Sequence, residues 1–319
     1  MIVKENKIIL FPKQKERVYV ELTEAINDGN FALALQKVTQ LIDYGELHEE
    51  LIDINCYCLM QLEDYEELVG FSVLMKEVDD RLFEVCLGYY IEALYELEKY
   101  KEVIELYHEV EMDMADEKNL DIFYDLALQM NAQKIERYMK QFNRAKLNQD
   151  HQESYRLMNL LLESLTAPIP YIEKQLTLPN VHPLVKTAII DFYRKKELSK
   201  LLEVEKFELT SQFEVESLVD VHNESSFLAL IEQFDYLLHK DPAKYNLYVQ
   251  LMTQYFKIMY PFTVSDEDLP VVKVVFEQIV EQGFGNAVET AHFDQDKVTI
   301  YMENIHFCIN LYMSIKEIY

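Results

Sequence analysis

A repeated turn constrains the first third of the chain more than any other feature of its sequence. Each copy has a short polar turn followed by an aromatic residue, with helical periodicity on both sides: Asp28-Gly29-Asn30-Phe31, Glu63-Asp64-Tyr65 and Glu98-Lys99-Tyr100. The aromatic recurs at offsets of 34 residues (65 − 31) and 35 residues (100 − 65). A period of about 34 residues with a helix on each side of a turn predicts helix-turn-helix units over residues 15–117.

The composition also favours helices. Only 6 Gly and 8 Pro occur in 319 residues, which is too few for an all-β fold rich in tight turns. Half of the residues are hydrophobic, and 22 Tyr and 17 Phe supply bulky side chains for a core. We therefore predict a mainly α protein.

The three units resemble tetratricopeptide repeats. In each unit an aliphatic or small residue, Ala34, Leu68 or Val103, follows three positions after the aromatic of the turn. The plan of the whole chain resembles that of uncharacterised tetratricopeptide-repeat proteins of Gram-positive bacteria. This resemblance implies a helical solenoid that binds other proteins.

The pattern decays after residue 116. Ile122–Ala145 contains two helical runs and His151–Leu165 another, which we interpret as degenerate repeats. Alternating residues over 201–215 predict a short β-hairpin, with a turn at Leu209–Gln212. The sequence therefore predicts an N-terminal arm over 1–14, helical repeats over 15–166, and a helical C-terminal domain over 167–319.

The negative charge is concentrated in the repeats. The whole chain has a formal charge of −27. Residues 46–113 contain 20 acidic and 4 basic residues, a net of −16, whereas residues 118–206 contain 11 and 14, a net of +3. Such a block repels a phosphate backbone and attracts a basic partner. It is also what a helical protein rich in aromatics needs to stay in solution.

A partner-binding groove is implied by the resemblance, because the first helix of each tetratricopeptide unit lines the concave face. The positions that face inward are Tyr19, Thr23, Asp53, Tyr57, Met60, Tyr89, Glu92, Tyr95 and Glu96. Carboxylates pair with Lys or Arg, whereas Tyr and Met supply adaptable contact area. An acidic groove of this kind suits a basic, partly apolar peptide. Alternatively, several of these Tyr residues pack between repeats.

A second candidate surface is basic. Lys134, Arg137, Lys140, Arg144 and Lys146 recur at helical spacing and fall near one face. Such a face is usually solvated. It could also contact RNA, or the acidic groove of a second copy in a homo-oligomer.

The sequence contains no constellation typical of catalysis. It has no phosphate-cradling Gly-rich loop, no Gly-x-Ser-x-Gly elbow and no His-Glu-x-x-His helix. His182 precedes Pro183 at a predicted helix start, where a capping or packed side chain is more common than a base. The 4 Cys lie in helical runs and are expected to be buried, reduced thiols. We expect neither enzymatic activity, nor a cofactor, nor a metal.

These patterns favour a cytoplasmic scaffold or adaptor that binds a basic protein segment. The chain has no secretory signal and no apolar stretch of about 18 residues, so we expect no membrane association. One alternative is a peptide-sensing regulatory protein of the same repeat class. Another is an RNA-associated assembly factor that uses the basic face over 134–146.

Overall fold

The computed structural model describes residues 12–110, 118–164 and 166–316. In these residues the chain forms fifteen α-helices and one two-stranded antiparallel sheet, which confirms the prediction of a mainly α protein with a small hairpin. The helices are α1 (Pro12–Asn27), α2 (Phe31–Asp43), α3 (Glu49–Gln61), α4 (Tyr65–Val78), α5 (Asp80–Glu96), α6 (Tyr100–Val110), α7 (Lys118–Leu147), α8 (His151–Glu163), α9 (Ile169–Lys174), α10 (Pro183–Lys195), α11 (Ser225–Glu232), α12 (Leu237–Lys240), α13 (Pro242–Met259), α14 (Leu269–Gly283) and α15 (Gln295–Lys316). The strands are β1 (Leu201–Lys206) and β2 (Leu209–Glu214).

The chain divides into two compact units, Met1–Lys134 and Ile135–Tyr319. The division falls within α7. The domain boundary at residue 166 stays a prediction. Most of the predicted N-terminal arm, residues 1–11, lies outside the described residues, and α1 begins at Pro12.

One turn geometry joins four pairs of helices. A residue with positive φ ends the first helix of each pair: Gly29 (68°), Glu63 (56°), Glu98 (55°) and Gln149 (57°). The next residue donates its backbone N–H to the carbonyl oxygen five residues earlier, at 2.8–3.0 Å. This bond satisfies a carbonyl at the helix end. The α7–α8 turn therefore repeats the geometry of the first three, with His151 in the place of the aromatic.

Helix α7 is longer than the sequence suggested. The interpretation of Ile122–Ala145 as two helical runs is wrong, because Lys118–Leu147 forms one helix of 30 residues. No Gly or Pro occurs within it. Nothing therefore interrupts the backbone hydrogen bonds between successive turns.

The core of the first unit follows the repeats. Three clusters of buried side chains lie between α1, α2 and α3, between α3, α4 and α5, and between α5, α6 and α7. The residue three positions after each turn aromatic is buried in its cluster, with exposures of 0%, 0% and 1% for Ala34, Leu68 and Val103. Helical spacing thus buries the apolar side of each helix, and α3 and α5 each contribute to two neighbouring clusters.

The second unit has one continuous core. Helix α10 packs against α8 and α13, and α15 packs against α8, α13 and α14. Strand β1 faces this core with alternate side chains, Leu202, Val204 and Lys206.

The turn of the hairpin differs from the prediction. Lys206 pairs with Leu209, so the chain reverses at Phe207 and Glu208 rather than over Leu209–Gln212. Both turn residues have positive φ, 51° and 66°. Two-residue turns of this kind usually contain Asn or Gly. The sequence has neither here, so it carries no signal for the turn.

Candidate functional site

The predicted groove residues form the outward stripes of α1, α3 and α5, which we call the first-helix face. Its members are Tyr19, Thr23, Asp53, Tyr57, Met60, Tyr89, Glu92, Tyr95 and Glu96. Each is half-buried or exposed, and none belongs to a core. They lie there because apolar residues at helical spacing turn the opposite sides of the same helices inward.

A hydrogen bond joins two helices across this face. The hydroxyl of Tyr89 on α5 donates to Oδ1 of Asp53 on α3 at 3.0 Å. Partial burial, together with the adjacent Asp53 carboxylate, raises the pKa of Tyr89. The tyrosine therefore stays neutral and acts as a donor that orients the carboxylate.

The carboxylates of the face are unpaired. Asp53, Glu92 and Glu96 have no ion-pair partner in the part of the chain that the structure describes. Glu21 on α1, outside the face, instead accepts from Lys37 at 2.6 Å and from Arg17 at 2.8 Å. The face therefore presents negative charge that the described residues do not neutralise.

This charge also affects a neighbouring tyrosine. Desolvation and the carboxylates of Glu63, Glu96 and Glu92 raise the pKa of Tyr65 at the start of α4. Tyr65 therefore borders the face, as does His48, whose Nε2 lies 3.1 Å from the Tyr19 hydroxyl. Neither residue is a first-helix position, since Tyr65 begins α4 and His48 precedes α3, so the repeat pattern did not predict them.

The aromatic residues of the face have different surroundings. Tyr57 contacts Phe31 edge-on with ring centroids 5.7 Å apart, yet 38% of it remains exposed. Tyr95 packs at 5.5 Å from Tyr100 and at 5.7 Å from Phe123, so it fills space between helices. Tyr57 is thus exposed enough to contact a partner, whereas Tyr95 packs between helices. Two further members contact their own neighbours: Thr23 donates to the Tyr19 carbonyl, and Met60 borders the α3–α4–α5 cluster.

The five cations of α7 do not form one free surface. Lys134 donates to the Glu98 carbonyl oxygen at 3.1 Å. Lys140 pairs with Glu136 at 2.7 Å, and half-buried Lys146 donates to Gln175 at 3.1 Å. Arg137 and Arg144 are exposed, without an ion-pair partner among the residues described. Two cations therefore remain for a partner rather than five.

The described ranges contain no group of three or more His, Cys, Asp or Glu positioned to hold a metal ion. All four cysteines are buried and free, and Sγ of Cys56 lies 3.6 Å from Sγ of Cys86. None of the helices described is long and apolar enough to cross a membrane.

These features define a protein built, in its first unit, from successive helical hairpins that present an acidic face. The chain is similar to the TPR repeat-containing protein YsoA of Bacillus subtilis (strain 168), with 23% identity over 272 residues that make up 81% of each protein. No protein-family model and no solved structure matches the chain. The similarity to YsoA supports a tetratricopeptide-like architecture.

Proposed function

We propose that the protein is an interaction scaffold that binds a basic, partly apolar segment of another protein on its first-helix face. The observation that carries the proposal is the set of unpaired carboxylates, Asp53, Glu92 and Glu96, beside the Tyr89 hydroxyl. The similarity to a TPR repeat-containing protein adds support for a protein-interaction scaffold in general.

The face matches a basic partner in two ways. Lys and Arg side chains form charge-assisted hydrogen bonds with carboxylates, and the charge of the surrounding repeats accelerates the encounter. Half-exposed Tyr57 and Met60 offer apolar contact beside those charges. A peptide-sensing regulator would use the same face and differ only in the response that binding triggers.

Isosteric neutralisation tests this proposal. In the variant Asp53→Asn/Glu92→Gln/Glu96→Gln, we expect a basic protein that wild type captures from native lysate to be lost. The matched control, Glu24→Gln/Glu66→Gln/Glu77→Gln, removes the same charge from exposed positions outside the face. It should retain the partner.

Crosslinking from Tyr57, replaced by a photoreactive residue, should then map the captured segment. Circular dichroism verifies that both variants keep their helices. Equal retention by the two variants would contradict the assignment of the face. Equal loss would show that general acidity, rather than this face, attracts the partner.

A further inference from the structure

A cleft of about 580 Å³ lies in the second unit beside the β1–β2 turn. We call it the hairpin cleft and define it by His151, His182, Lys186, Phe207 and Phe307. Its volume is within the range typical of small-molecule sites, about 300–1,000 Å³. It is remote in sequence from the first-helix face and is independent of the function proposed above.

His182 presents an unused hydrogen-bond donor in this cleft. Its Nδ1 accepts the backbone N–H of Leu184 at 3.2 Å and thereby caps α10. In the neutral ring, this acceptor role assigns the proton to Nε2. Nε2 is buried and has no hydrogen-bond partner among the described residues, and only 5% of the residue is exposed. A buried donor without an acceptor is unfavourable, and an oxygen of a ligand would satisfy it.

The ring of His182 is neutral near pH 7. Burial lowers its pKa to about 3, and the neighbouring His151 and Lys206 act in the same direction. The backbone carbonyl of Leu311 lies near the ring and opposes this shift, but it does not form a hydrogen bond of normal geometry with Nε2. The ring centroids of His182 and His151 are 4.9 Å apart. His182 therefore offers a neutral N–H, and positive charge at the site has to come from lysine.

Lys186 supplies that charge. It is only 2% exposed, and its Nζ donates to the carbonyl oxygen of Glu205. Because an ammonium has three N–H groups, two donors remain without a partner in the described ranges. Burial lowers the pKa of Lys186 to about 8, with Glu205 opposing the shift, so the ammonium form prevails at pH 7.

The neighbouring Lys206 is a buried lysine whose hydrogen bonds are all made inside the protein. Its Nζ donates to Thr187 Oγ1 at 2.8 Å, to the Ile258 carbonyl at 2.9 Å and to the Tyr260 carbonyl. All three donors of its ammonium group are thus used inside the protein. Among the residues described, Lys186 has one such acceptor, the Glu205 carbonyl.

Two helices begin at the hairpin cleft. His151 is the first residue of α8, and His182 is the N-cap of α10. The N-terminus of a helix carries partial positive charge, so both helices favour an anion here. Glu205 and Glu208 also line the cleft and limit the charge that it accepts.

The opposite wall is aromatic. Phe207 and Phe307 contact each other edge-on at 5.7 Å, and 52% of Phe307 is exposed. Phe207 has a φ of 51°, which lies in the left-handed region that L residues rarely adopt. An apolar group on the ligand would cover these rings.

We propose that the hairpin cleft binds a small organic anion, in which a carboxylate or phosphate accepts hydrogen bonds from His182 Nε2 and Lys186 Nζ while an apolar group contacts Phe207 and Phe307. The carboxylates of Glu205 and Glu208 favour a singly charged ligand over a doubly charged one.

Benzoate, phenyl phosphate and neutral benzamide are suitable probes, because they share a ring and differ in charge. With full-length protein labelled with ¹⁵N at histidine, we expect benzoate at millimolar concentration to shift the Nε2 resonance of His182. Phenyl phosphate should do so more weakly, and benzamide least. If phenyl phosphate binds more tightly than benzoate, the anion that the cleft binds is a phosphate, and the expected preference for a singly charged ligand is wrong.

His182→Asn is the decisive variant. Asn is a favourable N-cap whose side-chain oxygen can accept the Leu184 N–H, so the cap is kept. Its amide N–H groups lie closer to the backbone than His Nε2 does, so no donor remains at the position of Nε2. Titration calorimetry should show benzoate binding about tenfold weaker, corresponding to one lost hydrogen bond of about 1.4 kcal/mol. Lys186→Met should have at least as large an effect, and the exposed control Lys195→Met on the same helix should bind as wild type does.

Phe307→Ala tests the aromatic wall at a half-exposed position, so it remains usable if a core variant fails to fold. We expect it to weaken benzoate binding as well. The proposal is wrong if neither anion shifts the His182 resonance at millimolar concentration. It is equally wrong if benzamide binds as tightly as benzoate, or if Lys195→Met weakens binding as much as His182→Asn does.

Discussion

The hydroxyl of Tyr89 donates to Oδ1 of Asp53 at 3.0 Å and so connects the first helices of two successive repeats. This bond occupies one carboxylate oxygen and leaves Oδ2 without a partner in the described part of the chain. It therefore fixes the orientation of an acidic group that remains available to a cation. The same contact adds stability between repeats and organises the proposed binding face.

Tyr89→Phe should lower the free energy of unfolding by about 0.5–1 kcal/mol, because a partly exposed hydrogen bond is lost while the ring stays in place. Urea unfolding at pH 7 measures this change. Tyr65→Phe is the matched control, since the Tyr65 hydroxyl has no hydrogen bond within the residues described. A similar loss in both variants would contradict a specific role for the Tyr89–Asp53 bond.

Glu63→Gly should stabilise the second repeat. Glu63 is exposed and has a φ of 56°, a left-handed conformation that costs an L residue about 1–2 kcal/mol relative to Gly. Part of that gain is offset because Gly also makes the unfolded chain more flexible, which leaves about 0.5–1 kcal/mol. Urea unfolding measures the change. Gly29→Ala, at a φ of 68°, should destabilise the first repeat by a similar amount.

If instead Glu63→Gly lowers the stability, the turn conformation is not a source of strain at this position. Gly29→Ala makes the two outcomes distinguishable, because the alanine side chain meets no atom within 4 Å. Any loss in that variant therefore comes from the backbone conformation and not from a steric clash.

The sequence predicted the repeats because spacing and burial agree there. Phe31, Tyr65 and Tyr100 each follow a turn, and the residue three positions later is buried as helical periodicity requires. The fourth turn, with Gln149 as its φ-positive residue and His151 as the next ring, escaped prediction. The missing signal is the aromatic residue, because the φ-positive position is Gly in the first turn alone of these four and Glu in the second and third.

Of the two candidate sites, one could be predicted from the sequence and the other could not. The acidic stripe of the first-helix face could be predicted because its members lie on three helices at regular spacing, although its role stays a prediction. The hairpin cleft combines His151, His182, Lys186, Phe207 and Phe307, which are scattered over more than 150 residues of sequence. Only tertiary packing brings them together. The sequence predicted a capping or packed role for His182 because Pro183 follows it. It could not predict that Nε2 has no hydrogen-bond partner among the described residues.

The four thiols should be inaccessible in the folded protein. Cys56 donates to Cys86 at 3.6 Å, and this hydrogen bond together with burial raises the pKa of Cys56. Burial also raises the pKa of Cys58, and raises that of Cys308 to about 12. The hydrogen bond from Cys56 lowers the pKa of Cys86, but Cys86 is fully buried, so a reagent cannot reach it. Because thiolates are the reactive form and all four thiols are buried, we expect an aromatic disulfide reagent at pH 8 to modify no thiol quickly under native conditions.

Addition of guanidinium chloride should then release all four thiols for reaction, which is the control for complete reduction. Fast modification of any thiol in native buffer would show that its helix opens locally. A total below four in denaturant would reveal a disulfide that the described structure does not contain.

His182 should make the stability of the protein depend on pH between about 7 and 5. Its folded pKa, about 3, is below the value of about 6.5 in an unfolded chain, so the unfolded state binds an extra proton as the pH falls. The contribution of His182 to the free energy of unfolding is therefore present above about pH 6.5 and is lost as the pH falls toward 3. The loss is about 2 kcal/mol at pH 5. His182→Asn removes this contribution and should lose about 2 kcal/mol less than wild type between pH 7 and pH 5. Urea unfolding in buffers without carboxylate or phosphate measures the difference, and equal losses in the two proteins would contradict a buried, neutral His182.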